Sequence, residues 1–156
     1  MGDFKPLAIV HIYTDGACSP NPGVGGWAAI LISPRHGSRC REISGAEKRS
    51  TNNRMELTAA IMALRTLKKP CKVHLFTDSE YLKNAFTHGW LEKWQRNGWR
   101  TASRSPVLNQ DLWQELLALA AVHDIKWNWV MGHGSDPMNQ RCDALAVQAR
   151  ERLAAQ

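Results

Sequence analysis

With 156 residues and a hydrophobic fraction of 44%, the chain can build one domain with its own core, and its four scattered cysteines argue against a zinc site or a disulfide framework. Charged and polar residues come too early for a signal peptide and no apolar run reaches about 18 residues, so we expect one domain over residues 1–156, cytoplasmic and monomeric, without membrane contact. Lys and Arg outnumber Asp and Glu by 20 to 14, and the net charge of +6 favours an anionic partner such as nucleic acid, although a protein can also be basic without such a role.

The first third of the chain predicts three strands separated by short Gly/Pro-containing turns. Leu7–Tyr13 is β-branched and apolar, Gly26–Ser33 is a second apolar run, and Arg39–Ser44 alternates more weakly, as an outer strand does. This order suggests an antiparallel meander. Gly23, Gly25 and Gly26 are interpreted as turn glycines rather than a phosphate-binding loop, because no helix follows them.

Helices and strands alternate in the remainder. The predicted elements are a helix with capping residues at 51–53 and apolar residues at helical spacing up to Leu64, a strand over Lys72–Thr77, a short helix over Glu80–Phe86, a Trp-rich basic stretch over residues 88–104, a helix over Asn109–Val122, a strand over Ile125–Val130, and a last helix that begins at Asp136 and Pro137. We therefore predict an α/β fold with a five-stranded mixed sheet flanked by helices.

Four acids occupy positions where apolar or small residues surround them. Asp15 and Asp78 each follow an apolar strand, and the carboxyl ends of strands are where α/β sheets place their sites. Glu56 shares a helix side with two alanines, and Asp143 lies beside an apolar helix face. Taken singly, Asp15 can be a turn residue and Glu56 part of a solvated helix face.

Four carboxylates can be packed together only if cations neutralise them. Ligands that are oxygen atoms alone indicate hard ions, Mg²⁺ or Mn²⁺, and two such ions about 4 Å apart would serve phosphodiester cleavage. Periodicity does not establish that the four acids converge, so the residues by themselves indicate a possible metal site.

Five segments resemble the bacterial type 1 ribonuclease H family over nearly the whole chain. They are IYTDGACSPNPGVGGWA, STNNRMELTAAIMAL, FTDSEY, the GW…W…GWRTASRSPV…N…LW stretch and IKWNWVMGHG…NQRCDALA. The resemblance implies a ribonuclease H-like fold, with three antiparallel strands followed by parallel strands. It also implies an endonuclease that hydrolyses the RNA strand of RNA–DNA hybrids and leaves 5′-phosphate and 3′-hydroxyl ends.

The same resemblance implies roles for individual residues. Four carboxylates match the ligands of two Mg²⁺ ions, for which Mn²⁺ can substitute: Asp15, Glu56, Asp78 and Asp143. One ion would activate the attacking water and the other would stabilise the leaving 3′ oxygen. His133 matches a loop histidine that aids proton transfer or product release. The substrate-binding positions that match are Cys18 and Asn21 near the RNA strand, the polar residues Thr51, Asn52, Asn53 and Asn109, and, in the basic stretch that grips the DNA strand, Trp90, Trp94, Arg100 and Arg104.

The chain departs from the family pattern near the predicted site. Glu80, Met131 and Gln140 stand where Gln, Lys and Glu are familiar, which leaves rate and metal preference open. His133 can also be an ordinary loop histidine, and Trp94 can pack the basic stretch instead of contacting bases. Two other functions remain alternatives: a different carboxylate-metal nuclease on the same fold, and a hybrid-binding module without catalysis.

Overall fold

The computed structural model describes residues 7–36, 39–131 and 136–156. Five strands and five α-helices follow in chain order, with a short 3₁₀ turn at Pro34–His36. They are β1 (Ala8–Cys18), β2 (Gly23–Ser33), β3 (Arg39–Ser50), α1 (Asn52–Arg65), β4 (Cys71–Thr77), α2 (Glu80–Thr87), α3 (Trp90–Arg96), α4 (Gln110–Ala120), β5 (Asp124–Trp129) and α5 (Pro137–Ala154).

The strands form one five-stranded sheet in the order β3-β2-β1-β4-β5. β1 pairs antiparallel with β2, and β2 pairs antiparallel with β3, whereas β4 runs parallel to both β1 and β5. The predicted mixed sheet, with an antiparallel meander followed by parallel strands, is confirmed. Within the described residues, no helix has the length and apolar composition needed to span a bilayer.

Helices cover both faces of the sheet. α1 packs on one face, where Leu57, Ile61 and Leu64 join the largest buried cluster together with Val73 and Leu75 of β4. α5 packs on the other face against β1, β2 and β3. The sheet is therefore the central layer, and its edge near the ends of β1 and β4 lies between α1 and α5.

Several element boundaries differ from the prediction. β1 runs on to Cys18 and β3 runs on to Ser50, so the meander is longer than its apolar stretches suggest. α3 is a helix inside the Trp-rich basic stretch, where the sequence predicted none. Ladder hydrogen bonds and tertiary packing hold these polar segments, and neither is visible in apolar periodicity.

The interpretation of three glycines as turn residues was wrong. Gly23, Gly25 and Gly26 all belong to β2. A Cβ atom at Gly26 would lie 2.1 Å from the backbone oxygen of Ala146, and one at Gly25 would lie 2.6 Å from the Met55 side chain. Gly25 and Gly26 thus permit close packing of the sheet against α1 and α5.

Candidate active site

Parallel strands bring Asp15 and Asp78 to the same end of the sheet. In the register of β1 with β4, Tyr13 lies opposite Phe76, and each aspartate stands two residues beyond that pair. Asp78 follows the last residue of β4, as predicted. Asp15 lies inside β1, opposite Ala28 of β2, and does not follow the strand. It is 6% exposed, so it is a buried acid and not a turn residue.

A close approach of α1 to β1 places Glu56 beside these aspartates. A Cβ atom at Gly16 would lie 2.6 Å from the backbone nitrogen of Glu56, so only glycine permits this contact. The buried Ser79 donates its hydroxyl hydrogen to Glu56 Oε2. The same Ser79 Oγ accepts a hydrogen bond from Leu82 N at 3.1 Å and caps α2. Ser79 thus links the Glu56 carboxylate to the short connection between β4 and α2 that contains Asp78.

The fourth acid comes from α5. Cys142 and Ala146 are fully buried against the sheet, as their helical spacing predicts, and Asp143 is the exposed residue next to them. A small open pocket, the carboxylate pocket, is lined by Asp15, Asp78, Asn139, Gln140 and Asp143. The structure therefore brings three of the four predicted acids to one pocket, with Glu56 adjoining through Ser79.

Burial and mutual repulsion raise the pKa values of these acids. The pKa of Asp15 rises from 3.8 to about 8, mainly because the side chain is buried and also because Asp78 and Asp143 are close. The pKa of Glu56 rises from 4.5 to about 7 through burial and the charge of Asp78, although the Ser79 hydrogen bond favours the ionised form. Both shifts mean that a negative charge at this pocket is costly without a compensating cation.

The donor set fits a hard divalent cation. The pocket offers carboxylate and amide oxygens, and the described residues bring no histidine or thiolate to it. Among those residues, no group of three or more His, Cys, Asp or Glu side chains forms a ready-made metal site. Gathering such acids to ligand distance without a cation is opposed by like-charge repulsion, and a bound cation would relieve both this repulsion and the burial cost at Asp15.

A second pocket collects most of the polar residues predicted to bind substrate. Its lining includes Asn21, Pro22, Thr51, Asn53, Tyr81, Leu108 and Asn109. Two further predicted residues, Cys18 and Asn52, lie beside it. Asn52 Oδ1 accepts a hydrogen bond from Cys18 N at 2.7 Å, and Asn21 Oδ1 accepts one from Asn52 N at 3.2 Å. Thr51 also caps α1 through Arg54 N at 3.1 Å. Cys18 is buried, and its backbone N–H is the donor of the first of these hydrogen bonds.

The Trp-rich basic stretch is held by indoles that pack against one another at tilted angles. Trp94 lies 5.9 Å from Trp90, 6.1 Å from Trp99 and 6.0 Å from the fully buried Trp113, measured between ring centroids. These contacts support the packing alternative for Trp94, since Trp90 and Trp94 are both half-buried against the core. The exposed Arg100 and Arg104 line a third pocket together with Asn97 and Thr101.

Sequence reasoning missed three residues that organise the site. Ser79 holds Glu56, as described above. Tyr81 lines the second pocket, and its hydroxyl accepts hydrogen bonds from Asn109 Nδ2 at 3.3 Å and Trp113 Nε1 at 3.0 Å. Arg54 reaches Asp111 Oδ2 at 3.0 Å and Asn109 Oδ1 at 3.4 Å. All three lie inside the motifs already singled out, and the capping position of Ser79 before an apolar helix was a usable signal. His133 lies outside the described residues.

Comparison with known proteins identifies the family. The sequence profile of the family described as RNase H matches residues 8–151. The chain belongs to the ribonuclease H family. A ribonuclease H of Moorella thermoacetica is 59% identical over 140 residues, which is 90% of each chain.

Solved structures that share this fold include two ribonucleases H. The crystal structure of LC9-RNase H1, a type 1 ribonuclease H with the type 2 active-site motif, has a TM-score of 0.84 at 29% identity and covers 96% of this chain and 75% of its own. LC11-RNase H1 in complex with RNA/DNA hybrid has a TM-score of 0.71 at 20% identity and covers 93% of this chain and 99% of its own. The latter likeness supports the fold alone.

Proposed function

We propose that this protein is a ribonuclease H that hydrolyses the RNA strand of RNA–DNA hybrids, with two Mg²⁺ ions held by Asp15, Glu56, Asp78 and Asp143. The observation that carries the proposal is the burial of Asp15 in a pocket that it shares with Asp78 and Asp143. Burial that raises the pKa of Asp15 to about 8 opposes its ionisation, and a bound cation would offset this cost. Family membership supports the same reaction.

The chemistry of the bound ions would be to lower the pKa of the attacking water and to offset charge on the leaving 3′ oxygen. The residues of the chain position the carboxylates for those ions. Gly16 lets α1 approach β1, and Ser79 fixes one oxygen of Glu56. His133 remains a prediction as the proton relay, and cleavage would leave 5′-phosphate and 3′-hydroxyl ends.

Substrate binding is assigned to two surfaces outside the pocket that holds the carboxylates. Asn21, Thr51, Asn53 and Asn109 line one pocket, and their amides and hydroxyl can donate to phosphate oxygens and to the 2′-hydroxyl that distinguishes RNA from DNA. Arg100 and Arg104 would contact phosphates of the DNA strand, while the indoles of Trp90 and Trp94 hold the Trp-rich basic stretch in place. In this proposal the enzyme works as a monomer in the cytoplasm, and Mn²⁺ can replace Mg²⁺.

A substrate panel tests this proposal. Equal amounts of end-labelled RNA–DNA hybrid, double-stranded RNA and double-stranded DNA are incubated with the protein, with and without Mg²⁺. We expect cleavage of the RNA strand of the hybrid alone, and only with Mg²⁺. Cleavage of either homoduplex at a comparable rate would favour another carboxylate-metal nuclease, and retention of intact hybrid with Mg²⁺ would favour a binding module.

A further inference from the structure

The register of the parallel strands defines a group of side chains on the face of β1, β4 and β5 opposite α1. Three rows cross this face: Ile9, Lys72 and Asp124; His11, His74 and Lys126; Tyr13, Phe76 and Asn128. α5 covers the neighbouring part of the same face over β1 to β3. His11 and His74 are both only half-buried, so solvent reaches the middle row.

The two histidines are direct neighbours on adjacent strands, with ring centroids 5.1 Å apart and ring planes at 68°. An imidazole nitrogen binds a metal ion at about 2.0–2.1 Å, which puts each ring centroid about 3.2 Å from the ion. Two rings that share one tetrahedral ion would then have centroids about 5.2 Å apart. The observed separation allows two imidazoles to share an ion without movement of either strand, once each ring turns a nitrogen atom towards it from the present edge-on contact.

The nitrogen atoms of these rings are available as ligands. Within the described residues, neither imidazole makes a hydrogen bond, whereas His123 Nδ1 accepts one from Cys71 N at 3.0 Å. The pKa of His74 lies below its ordinary value because of burial and the nearby His11, Lys72 and Lys126, with Asp124 opposing the shift. The lowered pKa of His74 favours the unprotonated ring, which is the form that binds metal.

The imidazole ligands select the kind of ion, and the surrounding charges limit how weakly it can bind. Lys72 and Lys126 flank the pair and oppose any cation, and Asp124 offsets them only in part. A hard ion such as Mg²⁺ gains little from imidazole and would not overcome this repulsion. Borderline ions bind imidazole well, and Cu²⁺ binds more tightly than either Ni²⁺ or Zn²⁺.

We propose that His11 and His74 bind one borderline transition ion, Zn²⁺, Ni²⁺ or Cu²⁺, with water molecules completing its coordination. The ion would join β1 to β4. Each histidine stands four residues before an aspartate of the carboxylate pocket, about 13 Å along the strand. The site is therefore separate from that pocket, although it joins the two strands that carry Asp15 and Asp78. An ion that binds only the folded chain raises the stability of the fold.

Nuclear magnetic resonance of the imidazole groups tests this site directly. Zn²⁺ is titrated into the untagged protein in the presence of saturating Mg²⁺, and again in the Asp15→Asn variant, so that the carboxylate pocket is occupied or weakened. We expect the ring resonances of His11 and His74 to shift together at substoichiometric Zn²⁺ in both proteins. Shifts confined to other histidines, or shifts of His11 and His74 that need a large excess of Zn²⁺, would overturn the proposal.

Variants give an independent measurement through the melting temperature in saturating Mg²⁺. Zn²⁺ should raise the melting temperature of the wild type, and His11→Asn or His74→Asn should abolish the rise. Even loss of a group that only supports a metal ligand costs about 10–100-fold in affinity, so loss of a ligand should weaken Zn²⁺ binding at least tenfold. The matched control is His88→Asn, an exposed histidine outside the pair, which should keep the rise. A rise that survives both substitutions in the pair would show that the ion binds elsewhere.

Discussion

At the scale of single residues, Asp15 links stability to pH in a direction unusual for an acid. The pKa values of Asp15 and Glu56 are raised in the folded chain to about 8 and about 7. Between about pH 4 and pH 8 the folded state therefore holds protons that the unfolded chain has released. The stability that these groups contribute is complete at low pH and is lost as pH rises through 7 and 8.

Without divalent ions, the melting temperature should fall as pH rises from 5 to 9 more steeply in the wild type than in Asp15→Asn, and saturating Mg²⁺ should remove most of the difference. Thermal melting across that pH range, with and without Mg²⁺, measures this. The control is Asp124→Asn, an exposed acid outside the pocket, which should follow the wild type. Equal slopes for wild type and Asp15→Asn would mean that Asp15 ionises normally.

His133 and Asp78 should differ sharply in their effect on catalysis. Loss of Asp78 removes an acid from the pocket that would hold the ions, so Asp78→Asn should leave almost no activity. A histidine that relays a proton contributes about 10²–10⁴-fold, so His133→Ala should keep measurable kcat with a KM near wild type. Steady-state kinetics on one hybrid at saturating Mg²⁺ compares the two. Complete inactivity of His133→Ala, or a loss confined to KM, would contradict the assigned role.

At the scale of elements, the close contact of Gly26 in β2 with α5 sets the position of that helix on the sheet. The backbone oxygen of Ala146 and the backbone nitrogen of Arg150 lie 2.1 Å and 2.7 Å from where a Gly26 Cβ would stand. Backbone atoms cannot rotate away, so Gly26→Ala must shift α5, which carries Asp143. Overpacking of this kind costs about 1–3 kcal/mol.

Gly26→Ala should therefore lower stability and also reduce the stabilisation that Mg²⁺ provides, because the displaced helix presents Asp143 poorly. Chemical denaturation with and without Mg²⁺ measures both effects. Gly89→Ala is the control, since its Cβ would meet nothing within 4 Å and its only cost is a φ of +70°. Gly89→Ala should lower stability while keeping the full Mg²⁺ effect. If Gly26→Ala also kept the full Mg²⁺ effect, the position of Asp143 would not depend on the contact at Gly26.

The elements that the sequence predicts best are those whose signal is local. Apolar runs and helix caps identify all five strands and four of the five helices, and the motifs identify the four acids. The end of β1 was misplaced because Thr14–Cys18 is held by pairing with β2, which apolar periodicity does not register. The roles of Gly26 and Ser79 depend on residues more than 20 positions away, Ala146 and Glu56, and no local pattern reports such contacts.

At the scale of the whole molecule, the charge distribution has two parts. The net charge is +6, yet the carboxylate pocket is lined by acids. The excess of Lys and Arg side chains therefore lies elsewhere on the surface. A nucleic acid is therefore attracted by the surface as a whole, while the pocket receives phosphate only when cations offset its acids. The question that follows is whether hybrid binding depends on total charge or on particular cations.

Two double variants with equal charge change separate these possibilities. Changing Arg100 and Arg104 to Ala removes the paired arginines of the third pocket, whereas changing Arg35 and Arg39 to Ala removes two exposed arginines near the start of β3. Each phosphate contact contributes about 0.9 to the slope of log K against log salt on a duplex. If Arg100 and Arg104 contact phosphates, their loss should weaken hybrid binding and flatten the slope by about 1–2, while the other pair leaves the slope near wild type. Fluorescence anisotropy of a labelled hybrid with Ca²⁺ in place of Mg²⁺, over a series of salt concentrations, measures the slopes. Equal slopes for the two double variants would mean that the net charge of the molecule, and not Arg100 and Arg104 in the Trp-rich basic stretch, governs the affinity.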